Sequence, residues 1–117
     1  MSEEEIREFV KRFYEALDAG DAETASALFP DGTKIHLWDG ITFNTQEEFQ
    51  KWFVELRSQS DNAKREVVSL KVDGNHAKVE VVLKANIGGE DRVVKLTHHF
   101  LFEGDKLIEV RVEIEPL

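Results

Sequence analysis

The stretch SEEEIREFVKRFYEALDAG, residues 2–20, predicts the helix around which the rest of the chain is arranged. Its apolar residues recur at the spacing of one helical face, at Ile6, Phe9, Val10, Phe13 and Leu17. Ser2 and Glu5 have the spacing of a capping box, and Gly20 stands where a left-handed residue commonly ends a helix. We therefore predict a helix from Ser2 to Ala19 with one buried face.

Two polar residues of this helix, Tyr14 and Asp18, lie one turn apart on the edge of the apolar face. Asp18 falls in the last turn, where the helix dipole disfavours a carboxylate by roughly 0.3–1 kcal/mol unless a cation lies beside it. Two interpretations follow: Asp18 is a solvated surface residue, or both side chains face a cavity. The remaining sequence has to decide between them.

The composition favours one soluble domain over residues 1–117 that binds neither nucleic acid nor a membrane. The net charge is −9, which repels phosphate groups and anionic lipid, and the chain has no cysteine. No apolar run approaches the ~20 residues of a membrane span, and the acidic N-terminus is unlike a signal peptide. We expect a protein without a targeting signal, cytoplasmic on recombinant expression.

The order of the remaining segments predicts an α+β cone, α-α-β-β-α-β-β-β-β, with three helices packed in a curved, mostly antiparallel sheet. A short helix begins at Asp21, residues 34–43 have the pattern of a hairpin, and Thr45 opens a third helix. The apolar period then changes to two, which predicts strands over residues 64–73, 76–87 and 90–103 and a fourth strand after Gly104. The buried face of that last strand is predicted to be Ile108, Val110, Val112 and Ile114.

Two polar residues fall on the predicted apolar face of this sheet. His98 is in phase with Leu96 and Phe100. Arg65 is in phase with Val67 but out of phase with the apolar residues that follow. A β-bulge near residues 68–69 would restore the phase and turn Arg65 towards the covered side, and we predict that bulge.

Buried polar groups need partners, and the first helix offers them. Asp18 can neutralise Arg65, and Tyr14 can hydrogen-bond His98. We expect Tyr14, Asp18, Arg65 and His98 to form a site that stabilises a delocalised anion on a flat apolar molecule. We expect no metal there, because His99 points away from His98, and His76 and His36 have no partner at ligand spacing.

Three segments carry a family resemblance: RFYEALDAGDAETASALF (12–29), IHLWDGITF (35–43) and THHF (97–100). With the order of elements, they resemble the nuclear transport factor 2-like superfamily, which includes ketosteroid isomerases and polyketide cyclases. The similarity is closer to the LuxSit family of de novo designed artificial luciferases built on that fold. Ser60, Leu96 and Val110 are similar to its optimised members, which indicates a redesigned variant.

The resemblance implies a luciferase that oxidises the imidazopyrazinone diphenylterazine with molecular oxygen and no cofactor, releasing carbon dioxide and light. It implies that Arg65 lies by the anionic ring nitrogen and is paired with Asp18, while Tyr14 and His98 lie near the carbonyl oxygen. The apolar residues that we predict to wall the pocket are Leu37, Trp52, Leu56, Leu83, Leu96 and Val110.

Two alternatives stay open at this point. One is a ketosteroid-isomerase-like enzyme, which pairs a tyrosine with a protonated aspartate and adds a carboxylate base. The other is a non-catalytic scaffold that binds a hydrophobic small molecule. We predict a monomer whose partner is the small luciferin, because the open sheet face is rich in lysine, arginine and glutamate.

Overall fold

The computed structural model describes residues 1–116, and the side chains of all of these except residues 60–62 and 116. The resemblance drawn from the side chain of Ser60 lies outside the described residues. The helices and strands, in chain order, are α1 (Glu3–Asp18), α2 (Ala22–Ala27), β1 (Lys34–His36), β2 (Thr42–Phe43), α3 (Gln46–Ser58), β3 (Ser60–Asp73), β4 (His76–Ile87), β5 (Glu90–Glu103) and β6 (Lys106–Pro116).

The strands form one curved sheet in the order β2-β1-β6-β5-β4-β3. Neighbouring strands are antiparallel except β1 and β6, which pair in parallel. These two strands are separated in the chain by β2, α3 and the antiparallel strands β3, β4 and β5. Helices cover one face of the sheet, which confirms the predicted α+β fold and the predicted order of its elements.

Helix α1 begins and ends as its sequence predicts. Ser2 accepts a hydrogen bond from the Glu5 backbone, and the Glu5 side chain accepts one from the Ser2 backbone, which completes the capping box. Gly20 has a φ of 74°, a left-handed conformation that favours glycine. The apolar face of α1 is buried against the sheet, where Phe13 meets Phe100 edge to face.

The predicted bulge in β3 is confirmed. Val67 pairs with Val81 and Ser69 with Glu80, so Val68 is an extra residue in the ladder. Because of it, Val67 before the bulge and Leu70 after it both lie opposite inward-facing residues of β4. Arg65, on one side of it, is thereby directed to the covered face of the sheet, and its side chain is only 7% exposed.

Three local predictions need correction. Strand β3 begins at Ser60 rather than residue 64, because a second register shift near its start extends the pairing with β4. The predicted buried face of β6 is wrong at both ends: Ile108 is an extra residue opposite the step from Leu101 to Phe102 of β5, so Leu107 is buried in its place, and Ile114 is 39% exposed. The hairpin of β1 and β2 has a loop wider than two residues, closed by the Leu37 amide donating to the Ile41 carbonyl at 2.9 Å.

The core lies between α1, α3 and the concave face of the sheet. It is dominated by aromatic side chains, of which Phe53, Phe100 and Phe102 are fully buried. No helix in the described part of the chain is long and apolar enough to cross a membrane. The core thins towards one end of the cone, where the packing leaves a cavity.

Candidate active site

A cavity of about 350 Å³ opens at the wide end of the cone, between α1, α3 and strands β1, β4, β5 and β6. Its size falls within the range of ~300–1,000 Å³ that is usual for small-molecule sites. The lining is almost entirely apolar and includes all six predicted wall residues, which are Leu37, Trp52, Leu56, Leu83, Leu96 and Val110. The charged or titratable residues that border it are Arg65, Arg92 and His98.

Arg65 is held at the edge of the cavity by Asp18. Its Nη1 donates to Asp18 Oδ1 at 3.0 Å, and its backbone amide donates to Asp18 Oδ2 at 3.3 Å. The carboxylate is 31% exposed, whereas the guanidinium side chain is 7% exposed. The ion pair is therefore solvated on its Asp18 side and largely desolvated on its Arg65 side, where charge interacts most strongly with a ligand.

The guanidinium has more donors than Asp18 uses. Nε and Nη2 of Arg65 have no hydrogen-bond partner among the described residues. No buried side-chain nitrogen or oxygen in that part of the chain lacks a partner, so these two donors border open space rather than packed atoms. Arg65 can therefore donate hydrogen bonds to an anion in the cavity while it stays paired with Asp18.

Tyr14 and His98 form a second pair deeper in the fold. Tyr14 Oη lies 2.9 Å from His98 Nδ1, and both residues are buried. On the sheet His98 lies between Val79 of β4 and Val112 of β6, so its hydrogen-bond partner comes from α1 and not from a neighbouring strand. The pairing that the sequence predicts between Tyr14 and His98 is thus present as a hydrogen bond.

Burial sets the protonation of this pair. Burial, with smaller electrostatic contributions from Arg65 and His99, lowers the pKa of His98 from its ordinary 6.5 to about 3. Burial also raises the pKa of Tyr14 well above its usual value, although Arg65 opposes this shift. Both groups are therefore neutral near pH 7, and the charge at the cavity edge is that of the guanidinium.

Neutrality leaves two tautomers for His98, and we assign one of them. The Tyr14 hydroxyl has no other acceptor among the described residues, so we assign it as the donor to His98 Nδ1. The imidazole proton is then on Nε2. This atom has no hydrogen-bond partner among the described residues, and it is not fully buried. His98 is among the residues that line the cavity, where a proton on Nε2 makes the imidazole a neutral donor.

Tyr14 and Asp18 reach the cavity only through their partners. Neither lines it, and both line a shallower crevice between α1 and β3 that also includes Arg65. Arg65 separates the crevice from the cavity because it borders both. The structure therefore places Arg65 and His98 against a ligand, and places Asp18 and Tyr14 behind them as orienting groups.

Arg92 was missed by the sequence analysis, although a signal was present. It is in phase with Val94 and His98 on β5 and pairs with buried Ala85, so it lies on the inner face near the mouth of the cavity. Its guanidinium is bound to Glu90 at 2.9 Å and is mostly exposed. Arg92 therefore places positive charge at the entrance rather than inside the site.

The outer face of the sheet also holds a feature that the sequence analysis excluded. His76 and His99 are not isolated: His99 Nδ1 lies 3.3 Å from His76 Nε2 across strands β4 and β5. The register set by the tight turn at Gly88 and Gly89 places them diagonally on the same face. Within the described residues there is no group of three or more potential metal ligands.

Comparison with known proteins shows a common fold. The sequence profile described as a SnoaL-like domain matches residues 10–110, and no curated protein sequence matches the chain. A ketosteroid-isomerase-like hypothetical protein from Catenulispora acidiphila, solved with trimethylamine, has a TM-score of 0.82 at 17% identity, covering 90% of this chain and 83% of its own. A putative polyketide cyclase from Sinorhizobium meliloti has a TM-score of 0.77 at 18% identity, covering 91% and 94%. A de novo designed protein with a curved β-sheet has a TM-score of 0.75 at 26% identity, covering 99% and 89%.

Proposed function

The chain belongs to the SnoaL-like domain family, and we propose that it is a cofactor-independent luciferase built on that fold. The proposed reaction is the oxidation of diphenylterazine by molecular oxygen, with release of carbon dioxide and light. This proposal rests on the resemblance to designed luciferases together with the chemistry of the cavity. Oxygen adds to the substrate anion, the peroxide closes to a dioxetanone, and loss of carbon dioxide leaves an excited amide that emits.

One observation carries the proposal: a largely buried guanidinium, with N–H donors that Asp18 does not use, borders a cavity whose lining is mostly apolar. The electron-rich anion of an imidazopyrazinone is the form that reacts with oxygen. A preorganised cation in a low-dielectric site favours that anion without reorganising at the moment of reaction. Asp18 keeps the guanidinium plane fixed, so that Arg65 does not turn towards solvent when the cavity is empty.

His98 supplies the second polar contact in this proposal. Its Nε2–H can donate to the carbonyl oxygen of the substrate, where negative charge is shared with the ring. Tyr14 holds the imidazole in the tautomer that makes this donor available. A neutral donor suits this position because a second buried cation beside Arg65 would be repelled.

The apolar walls have a separate role in light emission. Trp52 packs edge to face on Trp38 at the mouth and tilts against Phe43 and Phe49, so one side of the cavity is a connected aromatic wall. Such a wall fits a flat aromatic ligand and limits its motion. It also excludes water, which would otherwise compete for the anion's hydrogen bonds.

The cavity does not favour the isomerase alternative. A ketosteroid-isomerase-like mechanism needs a carboxylate base facing the substrate. None of the described residues that line the cavity is an aspartate or glutamate. Asp39, on the first hairpin, is exposed and accepts a hydrogen bond from the Ile41 amide instead.

The decisive experiment is photon counting. We expect purified protein mixed with diphenylterazine in aerated buffer to emit far above buffer and above serum albumin, which controls for a merely apolar environment. Degassing should remove the light, and treatment with a chelator should leave it unchanged, because no metal takes part. Emission at the albumin level together with tight substrate binding would instead identify a non-catalytic binder.

A further inference from the structure

The outer face of the sheet carries a histidine pair that the proposed luciferase chemistry does not use. His76 of β4 and His99 of β5 lie diagonally across the ladder, since His99 is directly opposite Lys78. Their rings are nearly parallel, with an interplanar angle of 15°, and His99 Nδ1 lies 3.3 Å from His76 Nε2. Both residues are partly exposed and line a shallow depression on this face.

A carboxylate orients one of these rings. The second nitrogen of His99, Nε2, lies 3.1 Å from Glu113 Oε1 on β6. Histidines that bind metal ions commonly donate their other ring N–H to a carboxylate, which fixes the ring and makes the ligating nitrogen more basic. With its Nε2–H on Glu113, His99 presents an unprotonated Nδ1 to His76.

We propose that His76 Nε2 and His99 Nδ1 form a two-histidine site for a divalent transition-metal ion, with Glu113 as the orienting group. Two nitrogens each about 2.0–2.1 Å from a metal are roughly 3.3 Å apart when the angle between them is near tetrahedral. The observed separation of 3.3 Å therefore suits one shared ion, which would replace the proton now between the two rings. Water would complete the coordination.

The chemistry of the donors selects the ion. Imidazole nitrogens suit Cu²⁺, Ni²⁺ and Zn²⁺, and Cu²⁺ binds most strongly in the general order of affinities. The net charge of −9 attracts cations to the surface. With two protein ligands the site should be exchangeable, and it is separated from the cavity by the thickness of the sheet.

The test is a titration with Cu²⁺, followed by calorimetry and by electron paramagnetic resonance. We expect one ion per chain with nitrogen coordination, and a higher thermal midpoint in its presence because the ion binds the folded state. His76→Gln and His99→Gln should each lower the affinity at least about tenfold, since one of two nitrogen ligands is lost. Glu113→Gln should lower it by about 10–100-fold, the usual effect of losing an orienting carboxylate.

His36→Gln is the matched control. His36 lies on β1 opposite Arg111 of β6, and no hydrogen bond or ring contact joins its side chain to another described residue. We expect its replacement to leave copper affinity unchanged. Affinity that is equal in the parent, His76→Gln and His99→Gln would overturn the proposal, and so would loss of affinity confined to His36→Gln. Photon emission is measured in parallel, and its presence or absence does not bear on this outcome.

Discussion

His98 and His99 are neighbours in the chain, yet their surroundings on the two faces of the sheet have little in common. His98 is 6% exposed, is bonded to Tyr14 and lies near the positive charge of Arg65. His99 is partly exposed and contacts His76 and Glu113. The alternation of a β-strand thus assigns adjacent histidines to a dry interior and to a wet surface. The same side chain becomes a fixed neutral donor on one face and an accessible ligand on the other.

The two faces differ in their ion pairs as well. On the inner face Arg65 Nη1 is bound to Asp18 at 3.0 Å with most of the guanidinium desolvated. On the outer face Lys95 Nζ lies 3.2 Å from Glu80, and both side chains are accessible to water. A pair that is exposed to water contributes little to stability, whereas a desolvated charge strongly affects whatever binds beside it. The comparison between faces can be tested residue by residue.

The largest effect is expected from Arg65→Met, which removes the cation at the cavity edge. We expect light emission per folded molecule to fall on the order of 10²–10³-fold, the usual cost of losing one preorganised charge-stabilising donor. Asp18 loses the guanidinium but keeps the backbone amide of residue 65 as a donor, and it is partly exposed and can be hydrated. Arg12→Met, at an exposed position on α1, is the control. Equal emission from the two variants would mean that the cavity acts through its shape alone.

The next effect compares the adjacent histidines directly. We expect His98→Ala to lower emission on the order of 10²-fold, because it removes the donor that faces the substrate carbonyl. His99→Ala should emit like the parent, since its side chain lies on the outer face. Circular dichroism of both variants establishes that they are folded. A similar loss in both variants would show that emission falls because the sheet is disturbed, and not because the His98 imidazole is removed.

The burial of His98 should make the free energy of unfolding depend on pH. His98 has a folded pKa of about 3 against an ordinary value of 6.5. Its contribution to stability is complete above pH 6.5 and is lost progressively as the pH falls towards 3, because only the unfolded chain takes up the proton. The free energy of unfolding should fall by about 1.4 kcal/mol per pH unit in that window from this group alone. The difference between the parent and His98→Asn, measured by urea unfolding from pH 6.5 to 4.5, isolates the effect; parallel curves would contradict it.

The smallest effect is expected on the outer face. Lys95→Ala breaks the ion pair with Glu80, and we expect it to cost roughly 0.2–1 kcal/mol of stability. Glu80 keeps Lys78 within 4.0 Å, which limits the loss. Emission should not change. A cost much larger than this, measured by urea unfolding, would show that the outer face is not as solvated as its exposure indicates.

Much of the fold could be predicted from sequence because its signals are local. The capping box at Ser2 and the change of period after α3 set the order of elements, and the phase slip around Val68 predicted the bulge. The pairing of β1 with β6 could not be predicted this way, because no local pattern joins strands so distant in the chain. The position of Ile108 failed for another reason: Leu107 is equally apolar, so the phase of β6 was ambiguous.

The candidate site was partly predictable because polar residues in an apolar phase stand out. That signal identified His98, and with the bulge it identified Arg65. The pairings of Tyr14 with His98 and of Asp18 with Arg65 were also predicted and are present. The separate crevice that Tyr14 and Asp18 line could not be predicted, since the rotation of a helix about its axis is decided by packing. The contact between His76 and His99 was missed although the turn at residues 88–89 fixes their register. Their spacing along the chain was considered, but not their positions on neighbouring strands.

The extra residue at position 68 has a consequence that reaches beyond the shape of the strand. Side chains alternate between the two faces along β3, so the spacing between Arg65 and Leu70 decides whether both can face the covered side. A regular ladder through all of these residues would turn the upstream half of the strand over, placing Lys64 and Glu66 under the helices and Arg65 in water. Deleting Val68 would instead leave Val67 opposite Val81 and Ser69 opposite Glu80 without a bulge, so Arg65 would keep its direction. The position of the charge therefore depends on how many residues separate Arg65 from Leu70 as well as on residue type, because an odd spacing puts both on one face only when the strand carries a bulge.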